Sequence, residues 1–173
     1  MQTWPAHSKE TVVSTQINEG LVKRYGDSRG SVKQLIIKVV KNREKGEMYS
    51  PTLREIFRVH HGVTIGMYTH GGCFRPFSFG VNTTIGRYSS VAATAFAATD
   101  NHPMHYKSMH GFFFNPVLGI SDKQWTFEPL AIGNDVWLGH NSLIMPGVDS
   151  IGGGAVVAAA VGGVVEHGRV PVL

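Results

Sequence analysis

The spacing of hydrophobic residues in the first third of the chain is that of a helix. Between residues 31 and 46 apolar residues recur every three or four positions, and Gly46 offers a stop. These apolar residues are Val32, Leu35, Ile36, Val39 and Val40. Ser50 and Pro51 then predict the N-cap and first turn of another helix, PTLREIFRV. Residues 1–58 are therefore predicted to form a helical N-terminal segment.

After residue 60 the hydrophobic spacing becomes six. Apolar positions fall at 79, 85 and 91, at 132, 138 and 144, and at 151 and 157 with 163 next in register. A six-residue period fits a short strand plus a turn, and three such hexads make one triangular coil. Residues 59–173 are therefore predicted to form a mainly β domain, a hexapeptide parallel β-helix. Each repeat start points into the core, and Gly or Asn supplies tight corners of positive φ.

The repeat is interrupted at several places. Ile65 to Phe79 spans fourteen residues, Ile144 to Ile151 spans seven, and Gly163 stands where an apolar residue is expected. Between residues 97 and 129 the pattern is absent, and His, Phe, Asn and Pro are frequent. Long excursions from a regular scaffold commonly carry function, so loop 97–129 is the predicted functional segment.

Composition indicates one domain in a reducing compartment. The chain has 173 residues, of which 42% are hydrophobic and only 16% charged, with 21 glycines. These figures suit one core with many tight turns. A single cysteine, no run of eighteen apolar residues and no secretory signal at the start predict a cytoplasmic protein without a membrane span.

The net charge of +4 arises mainly in residues 23–58. This basic stretch either attracts anions, such as phosphorylated cofactors or nucleic acid, or is a solvated helix face. The solvated face is the commoner case, so we expect no nucleic-acid partner.

The functional loop opens with three histidines, His102, His105 and His110. Three imidazoles plus water form a catalytic zinc set, so a metal site is one interpretation. A single general base is the other, because Pro103 restricts the backbone of His102 and one imidazole can take a hydroxyl proton. We expect the base and no metal, although the residues alone leave both open.

Two further features allow more than one interpretation. Cys73 is either a nucleophile or a small buried hydrophobic residue. No base lies near it at a spacing that indicates a catalytic pair. The aromatic run at 112–114 either packs or lines an acceptor pocket.

Three motifs resemble the hexapeptide acyltransferases. They are NHP at 101–103, AIGNDVWLGHNSLIMPGV at 131–148 and IGGGAVVAA at 151–159. The resemblance covers about residues 59–165 and points to the xenobiotic acetyltransferase-like branch, which includes chloramphenicol and streptogramin acetyltransferases and many polysaccharide O-acetyltransferases.

The resemblance implies a left-handed β-helix and a homotrimer with acetyl-CoA lying between two subunits. It implies that His102 is the general base on the acceptor hydroxyl. The residues matched to the cofactor-binding positions are Trp137, Gly139, His140, Ala158 and Ala159. The residues expected to bind the acceptor are Asn101, His105 and Phe113.

Several functions stay open within this resemblance. The loop favours a sugar or polysaccharide hydroxyl as acceptor, and an antibiotic hydroxyl is the alternative. The ending GGVVEHGRVPVL departs from the family, which normally continues with further coil, so a truncated, weakly active β-helix scaffold is the non-enzyme alternative. A zinc enzyme resembling the gamma-class carbonic anhydrases is the remaining one.

Overall fold

The computed structural model describes residues 16–100, 108, 110–115, 117–118 and 127–158. In this part of the chain three helices precede a series of short strands, so the fold is mixed α/β rather than mainly β. The helices are α1 (Glu19–Asp27), α2 (Ser31–Arg43) and α3 (Pro51–His61). The strands are β1 (Val63–Ile65), β2 (His70–Gly71), β3 (Thr83–Ile85), β4 (Ser90–Val91), β5 (Phe96–Ala97), β6 (Leu130–Ile132), β7 (Trp137–Leu138), β8 (Leu143–Ile144), β9 (Ser150–Ile151) and β10 (Val156–Val157).

The two helices predicted from the sequence, α2 and α3, are confirmed. Gly46, with φ +105°, lies in the turn that follows α2. Ser50 caps α3, because its Oγ accepts a hydrogen bond of 3.0 Å from the backbone N–H of Leu53. The first helix, α1, begins after Asn18, whose Oδ1 accepts from the N–H of Leu21 at 3.0 Å. None of the described helices combines the length and apolar character needed to cross a membrane.

The strands form three sheets in which every pair is parallel. One sheet has the order β1-β3-β6-β9, a second has β2-β4-β7-β10, and β5 pairs with β8 in the third. From β3 to β10 the chain visits the three sheets in turn. Parallel pairing between successive visits to one sheet is compatible with the predicted β-helix.

The six-residue register correctly predicts the core. Ile65, Ile85, Ile132 and Ile151 form one column across the first sheet, each pairing with the next in register. The other repeat starts that are buried are Phe79, Val91, Leu138 and Ile144. Gly163 lies outside the described residues.

The irregular intervals have local causes. The fourteen residues from Ile65 to Phe79 include a short 3-10 helix, Gly72–Phe74, that takes up the extra length. The seven residues from Ile144 to Ile151 include Gly147, whose φ of +96° accommodates the additional residue.

One line of corners departs from the expectation of Gly or Asn. The third residue after each stacked isoleucine has a left-handed backbone, with φ of +67° at Tyr68, +62° at Tyr88, +56° at Asp135 and +72° at Gly154. Tyrosine is uncommon in this conformation. The rings of Tyr68 and Tyr88 stack at 5.0 Å, and this contact offsets part of the backbone cost.

Arg54 joins the helical segment to the first strands. Its side chain is buried, and its five N–H groups all donate to backbone carbonyls. Nε binds Gly66 O at 3.0 Å, Nη1 binds Glu47 O at 2.7 Å and Ser50 O at 2.9 Å, and Nη2 binds Met48 O at 3.2 Å and Thr69 O at 3.0 Å. Burial lowers the pKa of Arg54 to about 10, so the guanidinium stays charged at neutral pH.

Gly71, at the end of β2, lies very close to the backbone of β4. Its φ is +99°, and a Cβ built on it would lie 1.9 Å from the carbonyl oxygen of Val91. Gly71→Ala is therefore expected to lower the free energy of unfolding by about 1–3 kcal/mol, measured by urea denaturation. Gly152→Ala is the matched control, because a Cβ there meets nothing within 4 Å. Equal denaturation midpoints for the two variants would contradict the packing described here.

Candidate functional site

The residues expected to bind the cofactor begin at strand β7. Leu138 points into the core and Trp137 points outward, because neighbouring side chains alternate along a strand. The Trp137 side chain is 55% exposed. The backbone N–H of the buried Gly139 donates to Val157 O at 2.8 Å, which brings the end of β10 against the end of β7.

His140 is exposed but anchored to Thr94, just before β5. Its Nδ1 lies 3.1 Å from Oγ1 of Thr94, and the same Oγ1 accepts a hydrogen bond of 2.9 Å from the N–H of Asn141. Asn141 has φ +57°, so the turn at this point is tight. The hydroxyl of Thr94 thus fixes the Nδ1 side of the imidazole and leaves Nε2 for another partner.

The structure brings four of the five predicted cofactor-binding residues together. Ala158 follows β10 and lies beside Gly139, since Trp137 pairs with Val156 and Leu138 with Val157. Ala158 and Trp137 are both exposed on this outer edge. An exposed indole, an anchored imidazole and small residues along one edge suit a long, narrow ligand with amide groups. Ala159 lies outside the described residues.

Of the residues predicted to act on the acceptor, only Phe113 lies in the described part of the chain. Asn101, His102 and His105 lie outside the described residues, so the role of His102 stays a prediction. Phe113 lies in a short 3-10 helix, Gly111–Phe113, and its side chain is 47% exposed. It packs edge-to-face on Phe112 at 5.5 Å. No contact within the described part of the chain joins it to Trp137.

The third loop histidine has a local structural role. His110 is exposed, and its Nδ1 accepts a hydrogen bond of 3.2 Å from the N–H of Phe112 at the start of the 3-10 helix. Across the residues that the structure describes, no three His, Cys, Asp or Glu side chains are grouped to hold a metal. His102 and His105 lie outside the described residues.

Cys73 is a buried thiol rather than a nucleophile. Burial, aided by the nearby Glu47 carboxylate, raises the pKa of Cys73 to about 12. The thiolate is therefore essentially absent at neutral pH.

One feature was missed by the sequence analysis. A cavity of about 530 Å³ opens between the end of α3, the turn at residues 77–81 and strand β5. Its polar lining groups include His60, His61 and Asp100. Two adjacent histidines at the end of a predicted helix were the available signal, but a helix-terminal histidine commonly serves only the helix dipole.

Thr94→Val tests whether the anchored His140 serves the cofactor. Losing the hydroxyl frees the imidazole, so the KM for acetyl-CoA is expected to rise about fivefold in a steady-state assay, while Thr94→Ser keeps the wild-type value. An unchanged KM in Thr94→Val would separate His140 from cofactor binding.

Part of the chain is similar to a known protein. No protein-family model matches the chain. Over 104 residues the chain is 31% identical to a protein named chloramphenicol acetyltransferase from Agrobacterium fabrum. The match covers 52% of this chain and 49% of that protein, so the chain spans about half the length of the curated relative it matches.

Proposed function

We propose that the protein is an O-acetyltransferase that moves an acetyl group from acetyl-CoA to an acceptor hydroxyl. The observation that carries this proposal is the similarity over 104 residues to a protein named as an acetyltransferase. The stacked parallel strands, and the edge formed by Trp137, Gly139, His140 and Ala158, support the same proposal. The proposal includes a cytoplasmic homotrimer of left-handed β-helices.

The chemistry needs a base and no covalent enzyme intermediate. His102 takes the proton of the acceptor hydroxyl as its oxygen attacks the thioester carbonyl, forming the new C–O bond. Backbone N–H groups stabilise the negative charge on the carbonyl oxygen. The C–S bond then breaks, and His102 returns the proton to the departing thiolate, giving the acetyl ester and coenzyme A. The buried, protonated Cys73 is consistent with direct transfer.

We propose a sugar hydroxyl as the acceptor, with Asn101, His105 and Phe113 on the acceptor side. The resemblance of the histidine-containing loop to polysaccharide O-acetyltransferases supports this choice. An antibiotic hydroxyl is the second candidate, and the name of the relative favours it.

The deciding experiment measures thiol release from acetyl-CoA with a panel of methyl glycosides, oligosaccharides and chloramphenicol. We expect turnover with at least one glycoside. Turnover with chloramphenicol alone would reverse the choice of acceptor. Binding of coenzyme A without turnover on any acceptor would favour a weakly active scaffold, and failure to bind it would overturn the proposed function.

A further inference from the structure

The cavity at the end of α3 has the composition of a site for a ring-bearing small molecule. Its wall is mostly apolar and includes four phenylalanine rings, with polar groups at a few points. The aromatic lining residues are Phe77, Phe79, Phe96 and Phe127. A volume of about 530 Å³ lies within the range of small-molecule sites. Aromatic faces bind both sugar rings and aryl rings, so the shared chemistry is a flat ring face with hydroxyl groups at its edge.

The cavity lies close to the segment that carries the proposed base. Asp100 lines it, and only one residue separates Asp100 from His102. A span of two residues limits the distance between their Cα atoms to about 7 Å. The base that the proposed function assigns thus closely follows, along the chain, a residue that lines this cavity.

His61 is held in the cavity wall by three aromatic rings. Its Nε2 lies 2.8 Å from the hydroxyl of Tyr25 on α1. Its ring packs on Phe57 at 4.7 Å and meets Phe77 edge-on at 5.8 Å. Among the described residues none hydrogen-bonds to Nδ1 of His61, which leaves this atom available to a ligand, beside the other polar lining residues His60 and Asp100.

The imidazole of His61 is uncharged at neutral pH. Burial, with smaller electrostatic contributions from the neighbouring Lys33 and His60, lowers the pKa of His61 below its ordinary value. A neutral imidazole can donate or accept a hydrogen bond to a ligand hydroxyl, depending on its tautomer.

His60 is also positioned by α1. Its Nε2 lies 2.9 Å from the carbonyl oxygen of Val22, which can only accept, so Nε2 carries the proton. The ring lies against Gly26, where a Cβ would be 2.5 Å from Cε1 of His60. The first helix thus fixes both histidines that line the cavity.

We infer that this cavity binds the ring of the acceptor, and that His61, held by Tyr25, determines acceptor specificity through its Nδ1 atom. The inference rests on the proposed function. It makes the N-terminal helices part of the acceptor site, whereas the sequence resemblance begins only at about residue 59.

Two substitutions of His61 separate ligand recognition by Nδ1 from the structural contact between Nε2 and Tyr25. In His61→Asn the amide nitrogen replaces Nδ1 and the contact with Tyr25 is lost. In His61→Gln the amide nitrogen reaches toward the Nε2 position, so that contact is kept and the Nδ1 position is empty. We expect His61→Gln to raise the acceptor KM about tenfold, and His61→Asn to raise it less than about threefold. The KM for acetyl-CoA stays unchanged in both.

The controls show whether any loss is general. His70→Asn and Tyr49→Phe change the same residue types away from the cavity and are expected to leave both KM values unchanged. Equal effects of His61→Asn and His61→Gln, or no effect of His61→Gln, would overturn the inference while leaving the proposed function intact.

Direct measurement of ligand binding separates failure of this inference from failure of the proposed function. Calorimetric titration of the wild-type protein with methyl glycosides and with chloramphenicol is expected to show binding that weakens in His61→Gln, and the stronger ligand identifies the ring. Such binding without acetyl transfer would overturn the proposed function and keep the assignment of the cavity. Binding of an acetylated ring ligand that is equally strong in wild type and His61→Gln would place the acceptor elsewhere.

Discussion

Replacing Arg54 with methionine is expected to lower the free energy of unfolding by about 3–5 kcal/mol, the largest stability effect of any substitution considered. The guanidinium is buried and satisfies five backbone carbonyls, including those of Gly66 and Thr69 beside the first two strands. Methionine fills a similar volume but donates no hydrogen bond. Five carbonyls then lose their partner together, and α3 loses its polar link to the sheets.

Chemical denaturation followed by circular dichroism measures this loss. Arg54→Lys is expected to fall between wild type and Arg54→Met, because an ammonium has three donors and cannot reproduce the planar fork. Arg58→Met is the control on the same helix, since Arg58 is exposed and pairs only with Glu55 at 2.6 Å. If Arg54→Met and Arg58→Met unfold at the same denaturant concentration, the role given to Arg54 is wrong.

Replacing His102 with alanine is expected to lower kcat for acetyl transfer by about 10²–10⁴-fold, the range of a lost general base. The acceptor hydroxyl then reaches the thioester without a group to take its proton. The KM for acetyl-CoA and the melting temperature are expected to stay near the wild-type values. Steady-state thiol release, with the acceptor varied at saturating acetyl-CoA, measures the effect.

His110→Ala provides the matched control for this prediction. His110 is exposed and bonds to the backbone of its own turn, so its loss is expected to leave turnover unchanged. A rate within threefold of wild type in His102→Ala would remove the base assignment. Zinc at one ion per chain, together with loss of activity in His102→Ala, His105→Ala and His110→Ala alike, would replace the base with a metal centre.

The buried residues of the paired strands were partly predictable, because the six-residue register identifies Ile85, Leu138 and Ile144. Residues between the register positions, such as Val63 and Val136, are buried as well and were not predicted. Ser50 and Pro51 predicted the start of α3 for a similarly local reason, since a cap acts within one turn of its helix. The sequence does not predict the nine-residue helix α1 as a separate element, because so short a helix depends on packing against α3.

The long-range contacts of the helical segment could not be predicted. An arginine one turn into a basic helix suggests solvent exposure, and only the folded chain shows carbonyls from residues 47–69 converging on Arg54. The cavity likewise depends on how α1 and α3 meet, which brings Tyr25 to His61 across 36 positions of sequence.

The candidate cofactor edge was partly predictable. Trp137 and Val156 are nineteen residues apart, close to three hexads, so their pairing follows from the repeat. Thr94 and His140 are 46 residues apart, and the segment 97–129 between them interrupts the six-residue register. The anchoring of His140 by the hydroxyl of Thr94 therefore had no signal in the sequence.

The position of Arg54 also bears on how molecules of this protein meet each other. Strands β1 and β2 are the outermost members of their sheets, and an uncovered outer strand can pair with another chain and extend into a fibre. Arg54 occupies the carbonyls of Gly66 and Thr69, which follow β1 and precede β2. An incoming strand finds these acceptors already used and a helix in its path, so the sheets have a closed end that resists polymerisation.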